Sequence, residues 1–453
     1  MEEFGITSQL QAVLPISIYL VGYVGGPLLF GPLSEQYGRQ KLVIATFILF
    51  ILFTLACALT PSWNALIGFR FLAGVAASAP IAIVGGTYAD IYDDPTTRGL
   101  AMAIFMAATS MGPLFSPILS GYITPALGWR WTFWIGLIIA GACLPPMFLI
   151  PETYAPILLT RRAAKLRKET GNPNIFSAHE LEDQDWKHVA TVTLTRPVRM
   201  ILFELIVGAT CLYLAIAYAI FYMTFSSYPL IFQKLYGQGP GFAGFMFLPI
   251  GLGELLALPI FIWYDGYLLR AKSRPDPPAW TKKEEYRRLP LACLGGPLYV
   301  VSIFWLGWSA RTDVHWVVPM LSGLIFGLAY ELIFMAMLNY LTDAYEIFAA
   351  SAMAAASCAR SIFGAVLPLA TTPMFQRLGI AWACSLLAFL SLAMCVVPFG
   401  FLHYGVYIRS RSKFCIYLKE RKEKEEEERQ RSRNQSRSSL PGLGVGAGGH
   451  EKA

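Results

Sequence analysis

The chain has 453 residues, of which 55% are hydrophobic and 14% charged, and a formal net charge of +7. Soluble proteins carry about a quarter charged residues; here 19 of the 36 basic and 29 acidic side chains fall in positions 405–453. This excludes a soluble enzyme, a nucleic-acid-binding domain and a disordered protein, and points to an all-α polytopic membrane protein.

A bilayer core needs about 20 mainly apolar residues per helix, and eleven such segments follow one another. Five run over 10–32, 42–60, 66–89, 99–123 and 131–150, and six over 201–228, 239–264, 289–309, 315–341, 350–375 and 380–404. Transmembrane strands would alternate apolar and polar residues over runs of about ten. These segments are apolar on every face, so helices are predicted. The polar stretch 151–199 divides the chain into an N-terminal bundle (1–150), a linker (151–199), a C-terminal bundle (200–404) and a charged tail (405–453).

Lysine and arginine in the loops set the orientation. With the linker in the cytoplasm, thirty basic residues lie on that side, against Arg130, Lys234, Arg311 and Arg377 on the other. The C-terminus is then cytoplasmic and, with an odd number of spans, the N-terminus is outside. Met1-Glu2-Glu3 offers no basic leader and Pro15 interrupts the first apolar run, so no cleaved signal peptide is expected.

The loop after the first span reads GPLSEQYGRQK from Gly31 to Lys41. Gly31 and Gly38 let helices approach and the chain reverse, Glu35 is placed to sit at a facing helix N-terminus, and Arg39 needs an acidic partner. In the third span, LIGFRFLAGVAAS places Arg70 inside the bilayer, where one reading is a packing arginine bonded to carbonyls. In the fourth, TSMGPLFSPILSG carries Gly112, Pro113, Pro117 and Gly121, the composition of a kinked, closely packed membrane helix.

These segments, with PETYAPILLTRRAAKLRKETGN at 151–172 and HWVVPMLSGLIFGLAYE at 315–331, resemble the major facilitator superfamily. Within it they resemble the fungal twelve-helix drug:proton antiporter branch, which includes multidrug and polyamine exporters. The first loop is similar to the family signature G-x-L-x-D-x-x-G-R, with Glu35 in place of Asp. The resemblance implies that Arg39 is held by an acid at the end of family helix 4, a position matched by Asp90. Arg70 resembles the R-x-x-x-G element on that helix, with Ala73 where Gln is common, which implies a part in proton coupling. Gly112, Pro113, Pro117 and Gly121 resemble the antiporter motif of family helix 5, with Ser116 and Ser120 where glycines are frequent. On this alignment the first span corresponds to family helix 2, so the fold expected is two bundles of five and six helices lacking family helix 1.

A charge at the bilayer centre costs about 2.5–3.5 kcal/mol on insertion scales, so each needs a reason. Glu204 lies near a span end, within reach of interfacial water. Glu254 and Glu331 lie deeper and read as proton or cationic-substrate binders, or as structural partners of Arg360 or a polar neighbour. Asp90 and Asp343 end their spans as turn or gate residues. Tyr213, Tyr218, Tyr222 and Phe225 form a stripe at near-helical spacing, read as a cavity wall that stacks flat substrates or as packed and lipid-facing rings. Seven of the eight cysteines fall within spans and none in an external loop, so no disulfide framework is expected. No metal-binding spacing or phosphate-binding loop occurs, so no cofactor is expected and ATP is not the expected energy source; the resemblance implies that the proton gradient is. The tail reads as a solvated, partly helical charged extension or as an electrostatic contact with anionic lipid, which its interspersed glutamates weaken.

The function expected is a plasma-membrane, monomeric, proton-coupled exporter of hydrophobic or cationic small molecules such as drugs or secondary metabolites, its partners being substrate, protons and lipid. A polyamine exporter, a non-transporting receptor and an inactive shortened form are the alternatives. An enzyme is not expected, because no clustered histidines or paired acids stand at a membrane face.

Overall fold

A computed structural model describes residues 4–6, 8–92, 94–181, 195–283, 285–345, 348–412, 414–418, 420–421 and 424. Most of the charged tail, and 182–194 of the linker, lie outside them. Met1–Gly405 form one compact unit and Val406–Ala453 a second.

Helices α1 (Gln9–Tyr37), α2 (Arg39–Leu59), α3 (Trp63–Ala77), α4 (Ala79–Ile91), α5 (Pro95–Leu127) and α6 (Arg130–Leu149) supply the first crossings, α3 and α4 together making one. The linker holds α7 (Ala155–Thr170) and the single turn α8 (Ala178–Leu181). After a short α9 (Arg196–Phe203) come α10 (Leu205–Tyr228), α11 (Pro240–Phe245), α12 (Leu248–Lys272), α13 (Glu285–Ser309), α14 (Val317–Tyr345) and α15 (Ala349–Arg411). Ten helical stretches among the described residues are long and apolar enough to span a bilayer. At 1.5 Å per residue, the 63 residues of α15 would reach about 95 Å, three times the hydrocarbon thickness. The helix is in fact broken at Gly379, whose φ of 74° lies in the left-handed region, and its two arms supply the tenth and eleventh crossings. The span boundaries at 375 and 380 bracket this break.

Small residues set the closest helix pairs. Gly22 and Gly26 on α1 face Gly74 and Ser78 at the α3–α4 junction; a Cβ on Gly22 would meet the backbone of Phe71 and Val75. This is the small-residue spacing by which membrane helices approach without a hydrophobic driving force. The same device joins α12 to α14, where Gly327 lies against the carbonyl of Ile250 and Gly253 against the backbone of Leu324 and Leu328. Replacing Gly327 by Val forces these backbones apart. We expect a loss of about 1–3 kcal/mol, read as a lowered unfolding temperature of the detergent-solubilised protein.

Helix α5 begins at a built cap. The Asp94 carboxylate accepts from the Thr97 backbone N–H and hydroxyl, both at 2.8 Å, and Pro95 occupies the first turn. These hydrogen bonds, the backbone one foremost, hold the Asp94 carboxyl below the ordinary aspartate value of 3.8. A group whose folded value is depressed stabilises above its unfolded value and loses that contribution as pH falls through the folded one. The Asp94→Ala variant is therefore expected to melt below the parent at neutral pH, with the difference closing below the free-aspartate range. Thermal scans across pH check this. The Asp94→Asn variant caps the helix without a charge, so its margin over Asp94→Ala should show no such closure.

Candidate functional site

One end of the molecule is held by ion pairs. Arg39 Nε lies 2.5 Å from Asp90 Oδ2, so the expected pair is present. The Arg39 backbone N–H also donates to Glu152 Oε1 at 3.0 Å, and its guanidinium sits over the Tyr154 ring at 5.1 Å. Glu152 accepts in addition from the N–H groups of Thr153 and Tyr154. One carboxylate thus serves the N-termini of both α2 and α7, where helix dipoles favour negative charge. Gly38, at φ 95°, leaves room for it: a Cβ there would collide with Glu152. Two expectations are corrected. Glu35 is exposed and bonds to no described residue, and the helix-capping place proposed for it belongs to Glu152, 113 positions from Arg39. A Cβ on Gly31 would meet no described atom within 4 Å, so Gly31 serves no close approach among the described residues.

A second cluster stands where α5 meets α13 and α14. Arg288, whose side chain is only 2% exposed, reaches Asp343 at 3.2 Å and Asp265 at 3.5 Å; Arg98 of α5 lies 3.8 Å from the same Asp343. Arg287 donates to Thr96 Oγ1 at 3.2 Å. The expectation for Asp343 as a gate residue acquires its partners here. Glu204 departs from expectation: it is 5% exposed, and its carboxylate accepts from the Tyr345 hydroxyl at 3.2 Å. The break between α9 and α10 turns it inward, away from interfacial water.

Between these helices lies a chamber of about 470 Å³. Tyr19 and Tyr23 of α1, Tyr218 and Tyr222 of α10, and Tyr330 and Phe334 of α14 supply its aromatic wall. Tyr218 and Tyr222 are one turn apart, their rings 4.7 Å apart and their hydroxyls 3.3 Å apart. Tyr213 is a correction. Five residues from Tyr218 is a rotation of about 140°, and Tyr213 points the other way, 1% exposed, its hydroxyl against Gly296 and Cys395. Phe225 lines a different cavity. Tyr19, Tyr23, Tyr330 and Phe334 were missed, because single aromatics in apolar spans look like core.

Two charged side chains line the chamber among the described residues, Arg360 and Glu331. Arg360, 8% exposed, lies over the Tyr218 ring at 5.5 Å and donates to no described acceptor. Glu331, 1% exposed, accepts from Ser110 of α5 at 3.2 Å through Oε2, while Oε1 is buried and unpartnered. The two form no ion pair with each other, so the structural pair with Arg360 is not made. Glu254 is fully buried with neither oxygen bonded to a described residue, and it stands outside the chamber wall. It follows Ile250 by one turn as Glu331 follows Gly327, and Ile250 and Gly327 touch. The two carboxyls therefore sit at one height on neighbouring helices. An unpaired buried carboxylate is costly, so a proton is the obvious companion.

Arg70 lies elsewhere. It borders a second cavity of about 820 Å³ with Gly112, Pro117, Ser120 and Gly121. Its guanidinium packs over Tyr19 and Phe133, at 5.5 and 5.0 Å, with Nε unbonded. This is an aromatic setting rather than the carbonyl-bonded one. Gly112, Pro113, Pro117 and Gly121 divide their work. Gly121 meets the Pro240 carbonyl of α11, and Gly244 of α11 returns the contact at Pro117 and Ile118. Pro113 lines the central chamber, and Gly112 opens into the larger cavity.

Among the described residues, eleven helical crossings around a tyrosine-walled chamber of small-molecule size have the architecture of a membrane transporter. The chain belongs to the Major Facilitator Superfamily, whose family model matches residues 1–368. It is 41% identical over 411 residues to the MFS transporter prlG of Fungal sp. (strain NRRL 50135), covering 90% of this chain and 86% of that one. It is 39% identical over 422 residues to the efflux pump FUBT of Fusarium oxysporum, covering 91% and 69%. Its fold is similar to that of the proton:xylose symporter XylE bound to 6-bromo-6-deoxy-D-glucose, with TM-score 0.62, 16% identity and 86% of both chains covered. The human organic anion transporter MFSD10 follows at TM-score 0.56 and 18% identity, with 85% and 83% covered.

Proposed function

We infer that this protein is a proton-driven exporter of small, mainly apolar molecules of the drug or secondary-metabolite kind. Relatives named as efflux pumps support the direction of transport. The observation that carries the reading is Glu331: a buried carboxyl bonded to α5 from the first half of the chain, on the wall of a chamber that both halves line. Substrate bound in the chamber competes with a proton at Glu331, so proton entry drives efflux while the two bundles rock about the chamber. Glu254, at the same height behind it, serves as a second proton-holding group, and Arg70 acts in coupling from its own cavity.

The bias of basic residues supports a cytoplasmic position for the ion-paired end and the C-terminus, and the pump works as a monomer in the plasma membrane. Arg39 with Asp90 and Glu152, and Arg288 with Asp265 and Asp343, brace the gate there. The polyamine reading has less support, because Glu254 does not reach the chamber and Glu331 is its one carboxylate among the described residues. Flux into inside-out vesicles tests the assignment: accumulation that collapses with the pH gradient is expected, and accumulation indifferent to that collapse would overturn it.

A further inference from the structure

The chamber holds two ionisable side chains of opposite kind, a base and an acid, that do not pair with each other. Arg360 and Glu331 both line it, both are more than nine-tenths buried, and no ion pair joins them. Burying a charge without a partner costs several kcal/mol, and a direct bridge would relieve both at once. Instead the Arg360 guanidinium, a fork of five N–H donors, lies over the face of Tyr218 and donates to no described acceptor. Glu331 has one serine donor and one unpartnered oxygen. The Tyr218 and Tyr222 rings, tilted by 42° to each other, supply aromatic faces beside their hydroxyls.

We propose that the chamber takes a small aromatic zwitterion, its carboxylate on Arg360, its ammonium on Glu331 and its flat body against the tyrosines. This rests on the efflux reading of the same site and specifies the substrate as a metabolite whose flat apolar body carries one charge of each sign. A guanidinium reads a carboxylate in two parallel hydrogen bonds, and an ammonium is a competitor for the place of a proton on a carboxyl. A purely cationic drug would leave Arg360 without an acceptor, and a purely anionic one would face Glu331. Each mismatch leaves a buried group unmet.

The test uses the full chain purified into lipid nanodiscs and four matched probes: naphthylalanine, its methyl ester (cation only), its N-acetyl derivative (anion only) and its N-acetyl methyl ester (neutral). The free zwitterion is expected to bind about tenfold to a hundredfold more tightly than either singly charged form. Arg360→Gln should erase its advantage over the methyl ester and keep its advantage over the N-acetyl form; Glu331→Gln should do the reverse. A misfolded variant loses both preferences, so this crossed pattern separates recognition from damage. Equal binding of the four probes, tightest binding of the neutral one, or no binding by any overturns the proposal. Flux of the same probes in proteoliposomes separates the two readings. Zwitterion preference without proton-driven flux contradicts export and leaves the site intact, whereas proton-driven flux without that preference does the opposite.

Discussion

Replacing Glu331 by Gln is expected to abolish uphill transport while leaving downhill exchange running. Gln keeps the size of the side chain and a hydrogen bond to Ser110, which the wild-type carboxylate accepts at 3.2 Å, but it neither takes up nor releases a proton. With one proton exchanged per substrate, a pH step of one unit sustains about tenfold accumulation, and the variant should accumulate none. Counterflow of labelled against unlabelled substrate requires only binding and rocking, so it should persist once substrate is raised enough to offset the weaker binding that the lost carboxylate brings. Proteoliposome assays of both kinds check this. Accumulation unchanged in the variant would remove Glu331 as the coupling carboxyl and direct attention to Glu254.

The second large effect is on the fold. Arg288→Ala should cost about 3–5 kcal/mol, the scale for removing one partner from a buried ion pair. The guanidinium is 2% exposed and stands between Asp265 and Asp343, so its loss leaves two carboxylates facing each other with Arg98, 3.8 Å from Asp343, and Arg287 as the nearby cations. Arg288→Met combined with Asp265→Asn and Asp343→Asn removes all three charges and should recover most of the stability. The unfolding temperature in detergent reads both outcomes, and a single variant as stable as the parent would show that the cluster does not hold α12, α13 and α14 together.

What the sequence made legible follows the range of each interaction. Bilayer crossings depend on local hydropathy, so all eleven were readable, including the break that Gly379 makes in the last helical stretch. The Arg39–Asp90 pair was reached through motif resemblance, since 51 positions separate the two residues. Glu152 was not reached. It stands in the quoted PETYAP segment, but nothing local says that its carboxylate caps a helix 113 positions away. Ser110 and Glu331, 221 positions apart, were unreadable for the same reason, as was Arg288, which counted only as a loop cation. Tyr213 shows the opposite failure. Its spacing looked close enough to helical to join Tyr218, but a rotation of about 140° puts it on another face.

The coupling of substrate to proton at Glu331 is most directly tested by proton release on binding. Purified protein in weakly buffered solution receives substrate, and released protons are read with a pH-sensitive dye. Release by the wild type and none by Glu331→Gln is the predicted result. A wild type that binds substrate and releases nothing, or a variant that releases as much as the wild type, would contradict it.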